Sequence, residues 1–295
     1  MHTSPQLKIF HAASQDIEIL QLEAPNLPFQ NVIDTQLAAI FLGLDEYLGL
    51  AKLLDYALNI KISKTETVSN WIKRPLSKNQ CHYAVEDVLY LHPLYQFLLK
   101  ELASSKKASF FEDECLGITK LADPVHNIIS KIIKNSDSPR VKAILKDLVQ
   151  WREEIAIKTN RPRNWVLSNN HLRFLSMHDN QQVWLDQKIL NERQVSRYAK
   201  NIFAMHSKHQ DLSKVRSSEK PEYKIEFDKI SGLLRSRFND IAESFNLPVN
   251  FLCSQKKITH ITELFLKHKE IFSFEDWRGQ LLNKKIKQVF DKISS

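Results

Sequence analysis

The chain has 295 residues, and 43% hydrophobic with 26% charged residues argues against wholesale disorder and for two or three globular domains. Its five glycines, Gly43, Gly49, Gly117, Gly232 and Gly279, stand singly; this excludes the G-x-G-x-x-G and G-x-x-x-x-G-K-[ST] phosphate loops, which need clustered glycines to bring backbone N–H groups against phosphate. The net charge of +8 is the mean of two opposites, −4 over residues 1–130 and +12 over 131–295, so a polyanionic partner is expected at the rear.

In chain order, Leu7–Phe10 and Asn31–Asp34 read as short strands around a helix over Gln15–Leu22, with Ser14 as its cap and Asp16 in its first turn. Strand, helix, strand in so few residues predicts a right-handed parallel crossover. Thr35–Leu42 and Leu48–Leu58 follow as helices, the second with Leu50, Leu53, Leu54 and Leu58 on one face. Ile60–Thr67 is polar and reads as extended. Ser77-Lys78-Asn79-Gln80 is a capping box opening a helix to about Leu102, with a kink near Pro93. Ser104–Ala108 is a linker, and helix is expected from Phe110 to Ala122 and again after Asp123-Pro124. Asn135–Arg140 is a second linker. Beyond it, Val141, Ile144, Leu145, Leu148 and Ile155 carry helical spacing to about Thr159, where Arg161-Pro162-Arg163 breaks it. Ser168 and Asp179 are N-cap candidates, Asn191–His209 is another helix, and Leu212–Glu222 is a polar linker. Residues 223–295 read as several helices broken at Asn246-Leu247-Pro248 and near Ser273.

Cys81, Cys115 and Cys253 lie far apart with no C-x-x-C. A disulfide framework and a thiolate zinc site are therefore disfavoured, and the reducing cytoplasm is the default location. No apolar run approaches 18 residues, the longest being Leu37–Leu44, and MHTSPQLKIF is no signal peptide. His206-x-x-His209 and Cys81-His82 are metal cues without partners. No Ser or Cys has a His in a recognisable nucleophile arrangement. Trp71, Trp151 and Trp277 read as core anchors.

The informative pair is Tyr83 and Asp87, four residues apart in HYAVEDVLYL and hence on one helix face. A carboxylate suits a hard divalent ion and a neighbouring phenol suits the placing of an attacking water, although by spacing alone such a pair is usually a helix surface contact. The surroundings add more. Tyr83-x-x-x-Asp87-Val88-x-Tyr90-Leu91, preceded by Trp71-x-x-Arg74-Pro75-Leu76-Ser77, resembles the third exonuclease motif of ribonuclease D and the wider DEDDy 3′–5′ exonucleases. Lys8-Ile9-Phe10-His11-Ala12-Ala13-Ser14-x-Asp16-x-Glu18-x-Leu20 is similar to that family's second motif, and Asp34–Gly43 to the segment that follows it. Leu148-x-x-Trp151-Arg152-Glu153-x-x-Ala156 with Arg161–Leu167 resembles the HRDC domain (helicase and ribonuclease D C-terminal), and Leu247-Pro248 with Trp277-Arg278 resembles a degenerate second copy.

The resemblance implies a mainly α chain with an α/β remnant: a partial ribonuclease-H-like exonuclease fold followed by helical HRDC-type domains. The domains expected are a partial exonuclease domain over 1–118, a connecting helix and linker over 119–137, an HRDC domain over 138–212 and a second HRDC-like domain over 220–295. It further implies a two-metal site with Mg²⁺ or Mn²⁺ and trimming of RNA 3′ ends, tRNA precursors among them. Asp16 and Asp87 take the places of metal-binding carboxylates, and Tyr83 that of the residue that orients the water. In the basic rear, Lys158, Arg161, Arg163, Trp165, Arg197 and Lys200, with Arg173 and Arg193, are candidates for phosphate contact and base stacking.

One part of the pattern is missing. The family's first motif is Asp-x-Glu on a strand ahead of the second motif, and residues 1–15 contain no acidic residue. Asp16-Ile17-Glu18 already fills the second-motif place, and Asp34-Thr35-Gln36 has an amide where a carboxylate is required. The resemblance implies a sheet of five strands, so at least about 25–30 residues of strand and turn are unaccounted for. The expectation is a chain truncated before its first catalytic motif, impaired or inactive alone, with any metal weakly held or not held. The alternatives are a non-catalytic RNA-binding HRDC protein with a vestigial nuclease half, or one half of a split nuclease whose missing strands a separate chain supplies.

Overall fold

The computed structural model describes residues 5–23, 30–62, 66, 69–118, 124–134, 137–214 and 221–294. Parts of the expected extended stretch after Ile60 and of the linkers around 135–136 and 215–220 lie outside the described residues. Strand β1 (Lys8–Phe10), helix α1 (Ser14–Glu23) and strand β2 (Val32–Asp34) open the chain. The strands pair in parallel with Lys8 opposite Val32 and Phe10 opposite Asp34, as the crossover pattern predicts. Helix α1 already includes Ser14, so this residue does not stand ahead of it as a cap. Next come α2 (Thr35–Phe41), α3 (Leu50–Leu58), α4 (Lys78–Leu89), α5 (Leu91–Ala103) and α6 (Ala108–Ile118). The capping box at Ser77 and Gln80 is formed in both directions. The expected single helix to Leu102 is instead two helices divided at Tyr90.

The remaining helices are α7 (Pro124–Ile132), α8 (Pro139–Thr159), α9 (Arg163–Val166), α10 (Asn169–Met177), α11 (Gln181–Asp186) and α12 (Glu192–Lys208). After a 3-10 turn over Gln210–Lys214 come α13 (Pro221–Ser244), α14 (Val249–Leu252), α15 (Gln255–His268) and α16 (Trp277–Ser294). Ser168 caps α10 as expected, but α11 is capped by Asn180, whose Oδ1 accepts from the Gln182 amide at 2.9 Å. Asp179 is the wrong neighbour because its carboxylate faces the Arg140 guanidinium at 3.6 Å.

The contacts divide the chain into two compact units. Residues 122–219 form one, with a core of Ile144, Leu145, Leu148, Leu172, Leu175, Trp184 and Ile202, all fully buried or nearly so. Residues 1–121 and 220–295 form the other. In it the C-terminal helices do not stand as a separate body: Phe41, Leu94, Leu98 and Phe111 from the front share one core with Leu234, Phe238, Trp277 and Phe290. Gly43, with φ +82°, lies so close to Asn246 that any side chain there would run into it. A smaller cluster of Ala13, Ile17 and Val32 packs α1 onto the sheet.

Candidate active site

The turn that delivers Asp16 is built by Asp34. Its Oδ1 accepts from the Ala12 amide at 2.9 Å and the Gln36 amide at 2.8 Å, and Oδ2 accepts from the Ala13 amide at 2.8 Å. One buried carboxylate thereby caps α2 and holds the start of α1 across the sheet. Ala12 itself is left-handed, with φ 59°, a conformation costing an alanine roughly 1 kcal/mol, and the bond to Asp34 offsets that cost. Sequence wording offered Asp34 as an imitation of the missing carboxylate pair. The structure gives it a scaffolding role, and the signal for it was present: Asp at a strand end directly before a helix is an N-cap pattern.

Asp16, exposed in the first turn of α1, and Asp87, half-buried on α4, border the same cavity. It has a volume of about 740 Å³ and is lined by residues 6–11, Asp16, Leu50, Asp87, Val88 and Leu91. Burial, with Glu86 adding its charge, raises the Asp87 pKa above the ordinary carboxylate value. A carboxylate so placed gains from a nearby cation. Tyr83 lies one turn before Asp87 on α4, half-buried and outside the cavity lining. Its ring packs against Trp71, with centroids 5.9 Å apart. Trp71 and Gln80 are further residues that shape this corner.

Asp16 and Asp87 have the right donor chemistry for Mg²⁺ or Mn²⁺, which take carboxylate oxygens. Among the described residues, however, no group of three or more His, Cys, Asp or Glu is placed to hold an ion. The two carboxylates do not fit a two-ion centre by themselves. The other metal cues have different work. His206 is buried with Nε2 at 2.8 Å from the Leu175 carbonyl, and His209 Nε2 lies 2.9 Å from Asp147.

In the unit of residues 122–219, Lys158, Arg161, Arg193, Arg197 and Lys200 are exposed, and Trp165 is 66% exposed. Trp151 on α8 meets Tyr198 on α12 edge-on at 5.1 Å. Arg163 pairs with Glu153 at 3.3 Å, and the same carboxylate meets the fully buried Arg152 at 3.0 Å. Arg173 is held by both Asp137 oxygens, at 3.0 and 2.7 Å, and by the Ile132 carbonyl. Its guanidinium thus serves the fold. Lys158 near the end of α8 and Arg193, Arg197 and Lys200 along α12 present exposed side chains.

Residues 1–103 match a family model described as 3′–5′ exonuclease, and residues 141–205 match the HRDC domain. Ribonuclease D of Haemophilus influenzae is 32% identical over 302 residues, covering 97% of this chain and 73% of that protein. Ribonuclease D of Pseudomonas paraeruginosa is 37% identical over 169 residues, covering 56% of this chain and 45% of that protein. Among solved structures, Escherichia coli RNase D, described as an exoribonuclease involved in structured RNA processing, superposes with a TM-score of 0.69 at 24% identity. That match spans 97% of this chain and 79% of that one, and at this identity it speaks for the fold. No helix among the described residues is long and apolar enough to cross a membrane.

Proposed function

The chain belongs to the ribonuclease D family of 3′–5′ exonucleases, and we propose that it takes part in trimming RNA 3′ ends, tRNA precursors among them, in the cytoplasm. The observation that carries the reading is the single cavity shared by Asp16 and Asp87. In this reading Asp16 and Asp87 would be two of the ligands to Mg²⁺ or Mn²⁺, and Tyr83 would orient the water that attacks the terminal phosphodiester. A divalent ion, when bound, supplies charge stabilisation for such a displacement. Lys158, Arg161, Arg163, Arg197 and Lys200 contact phosphates, and Trp165 stacks a base. Residues 1–15 carry no carboxylate to add to the pair of Asp16 and Asp87.

The test uses a 5′-labelled RNA with a single-stranded 3′ extension and Mg²⁺. The purified chain is expected to trim slowly or not at all, and Asp87→Asn or Asp16→Asn removes whatever remains without weakening RNA binding. Fast trimming that survives both substitutions overturns the assignment. RNA affinity should fall steeply with added salt, because phosphate contacts release counterions; an affinity indifferent to salt removes the proposed phosphate contacts. A second reading is half of a split nuclease. Restoration of trimming by a separately added polypeptide carrying the Asp-x-Glu strand is its signature, and continued inactivity in that mixture favours a non-catalytic RNA-binding role.

A further inference from the structure

We propose that Trp71 and Gln80 are positioning residues for Tyr83; the functional weight of this rests on Tyr83 being the group that orients water. Helix α4 is thinly supported. Its one buried side chain is Gln80, while Cys81, His82, Ala84, Val85, Val88 and Leu89 are exposed. A tyrosine on such a helix keeps its rotamer freedom unless something packs on the ring. Trp71 does so, at 5.9 Å between centroids and 53° between planes, and its Nε1 donates to the Glu66 carbonyl at 3.2 Å.

The loop that carries Trp71 is in turn fastened by Gln80. Its Oε1 accepts from the Ser77 amide at 3.0 Å, completing the capping box. Its Nε2 donates to Ser69 Oγ at 3.1 Å and to the Asn70 carbonyl at 3.2 Å. An amide has one oxygen and two N–H donors, and all are engaged. The flipped amide would set oxygen against the Asn70 carbonyl, so the network admits one orientation. Capping alone requires only the bond to Ser77. The two additional bonds tie residues 69 and 70, immediately before Trp71, to a position one turn ahead of Tyr83. Gln80, Asn70, Trp71 and Tyr83 thus close a ring of contacts around the Tyr83 side chain, on the helix that also bears Asp87.

Fluorine NMR of the full chain labelled with 3-fluorotyrosine tests this directly. The protein has seven tyrosines, and the Tyr83 signal is the one lost in Tyr83→Phe. In Trp71→Leu that signal should move, because the indole ring current is gone, and sharpen as the ring gains freedom; Trp71→Phe should move it less. Gln80→Ala removes no ring, yet it should shift the Tyr83 signal while the others stay in place. A Tyr83 signal unmoved by both Trp71→Leu and Gln80→Ala, with helical content retained, overturns the proposal. So does one that Trp71→Leu moves and Gln80→Ala leaves alone, as far as Gln80 is concerned. Should Gln80→Ala unfold α4, Gln80→Glu decides instead: it keeps the acceptor for Ser77 and loses the donors to residues 69 and 70. In the trimming assay, under conditions where the parent turns over measurably, alone or with the added Asp-x-Glu polypeptide, Trp71→Leu should lower kcat on the order of tenfold or more with KM held. If the signal shifts while Tyr83→Phe trims as fast as that active parent, positioning stands and the catalytic reading of Tyr83 falls.

Discussion

His206 shows how one buried side chain makes stability depend on pH. A carbonyl only accepts, so the bond to Leu175 at 2.8 Å puts the proton on Nε2. Nδ1 then presents its lone pair to Arg140 Nη2 at 3.3 Å. A second proton would set an imidazolium N–H against a guanidinium. Burial lowers the His206 pKa below the ordinary 6.5, and Arg140 adds to this against the opposing pull of the Leu175 carbonyl and Asp179. His171, also lowered by burial, acts with the same sign. The unfolded chain binds these protons below about pH 6.5 and the folded chain only at lower pH. Stability is therefore full above that value and falls as pH drops through the folded pKa. Amide protection of α8, α10 and α12 should decline between pH 7 and 5, and His206→Gln, which keeps a donor for Leu175, should flatten the decline. A parent profile level across that range would count against the tautomer. A second loss is expected in more acid solution. At Asp137 and Asp147 burial raises the pKa, but hydrogen bonds from Arg173 at the first and from Lys208 and His209 at the second outweigh it, leaving both lowered. Their stabilisation disappears as pH falls below about 4 through their folded values.

At the scale of elements, helix ends are where local chemistry decides. Helix α8 starts at Pro139 behind Ser138, whose Oγ accepts from the Val141 amide at 3.3 Å, and stops at Asn160, left-handed with φ 48° and ψ 51°. Asparagine tolerates that conformation and β-branched residues do not. Asn160→Val should cost about 1–2 kcal/mol in urea unfolding, and Asn160→Gly should be neutral or slightly stabilising; equal stability of the two variants would mean that the C-cap carries no strain. The end near Thr159 was read from Arg161-Pro162-Arg163, whereas the structure gives the caps to Ser138 and Asn160, which act on their own immediate backbone. The division at Tyr90 was legible in cause and misplaced in position. The ring of Pro93 clashes with the carbonyl four residues back in a continuous helix, and that residue is Leu89, the last of α4. Pro93 then sits comfortably in the first turn of α5. The second and third exonuclease motifs were legible for a similar reason, since each is a contiguous run of residues. Asp34 and Gln80 were legible only as local caps. The partners that extend their roles lie 21–22 and 10–11 residues away, and periodicity reports which face a residue occupies without naming what meets it.

Across the whole molecule, the longest-range information sits in Trp277. Its backbone amide donates to Asp113 and its indole Nε1 to Glu114, both at 2.6 Å. Its ring lies 5.3 Å from those of Phe41 and Phe110 and 6.1 Å from that of Phe251. Arg278 beside it reaches Glu114 and Asp276 at 2.7 and 2.8 Å and the carbonyls of Phe251 and Leu252. The sequence marked Trp277 as a core anchor and placed it in a second HRDC-like domain. Its anchorage is in α6, 163–164 residues earlier, so the C-terminal helices complete the core of the exonuclease part. Removing a buried tryptophan side chain costs about 3–5 kcal/mol, a large share of the roughly 5–15 kcal/mol that holds a domain folded. Trp277→Ala should therefore raise hydrogen exchange in α2, α5 and α6 together with α13 and α16, by similar free energies. Were residues 220–295 a body of their own, the loss would stop at α13–α16 and leave α2, α5 and α6 as protected as in the parent. Trp277→Phe, which keeps a ring in the Phe41–Phe110–Phe251 cluster and loses the indole bond to Glu114, separates packing from hydrogen bonding: a loss well under half that of Trp277→Ala assigns the coupling chiefly to the aromatic contacts.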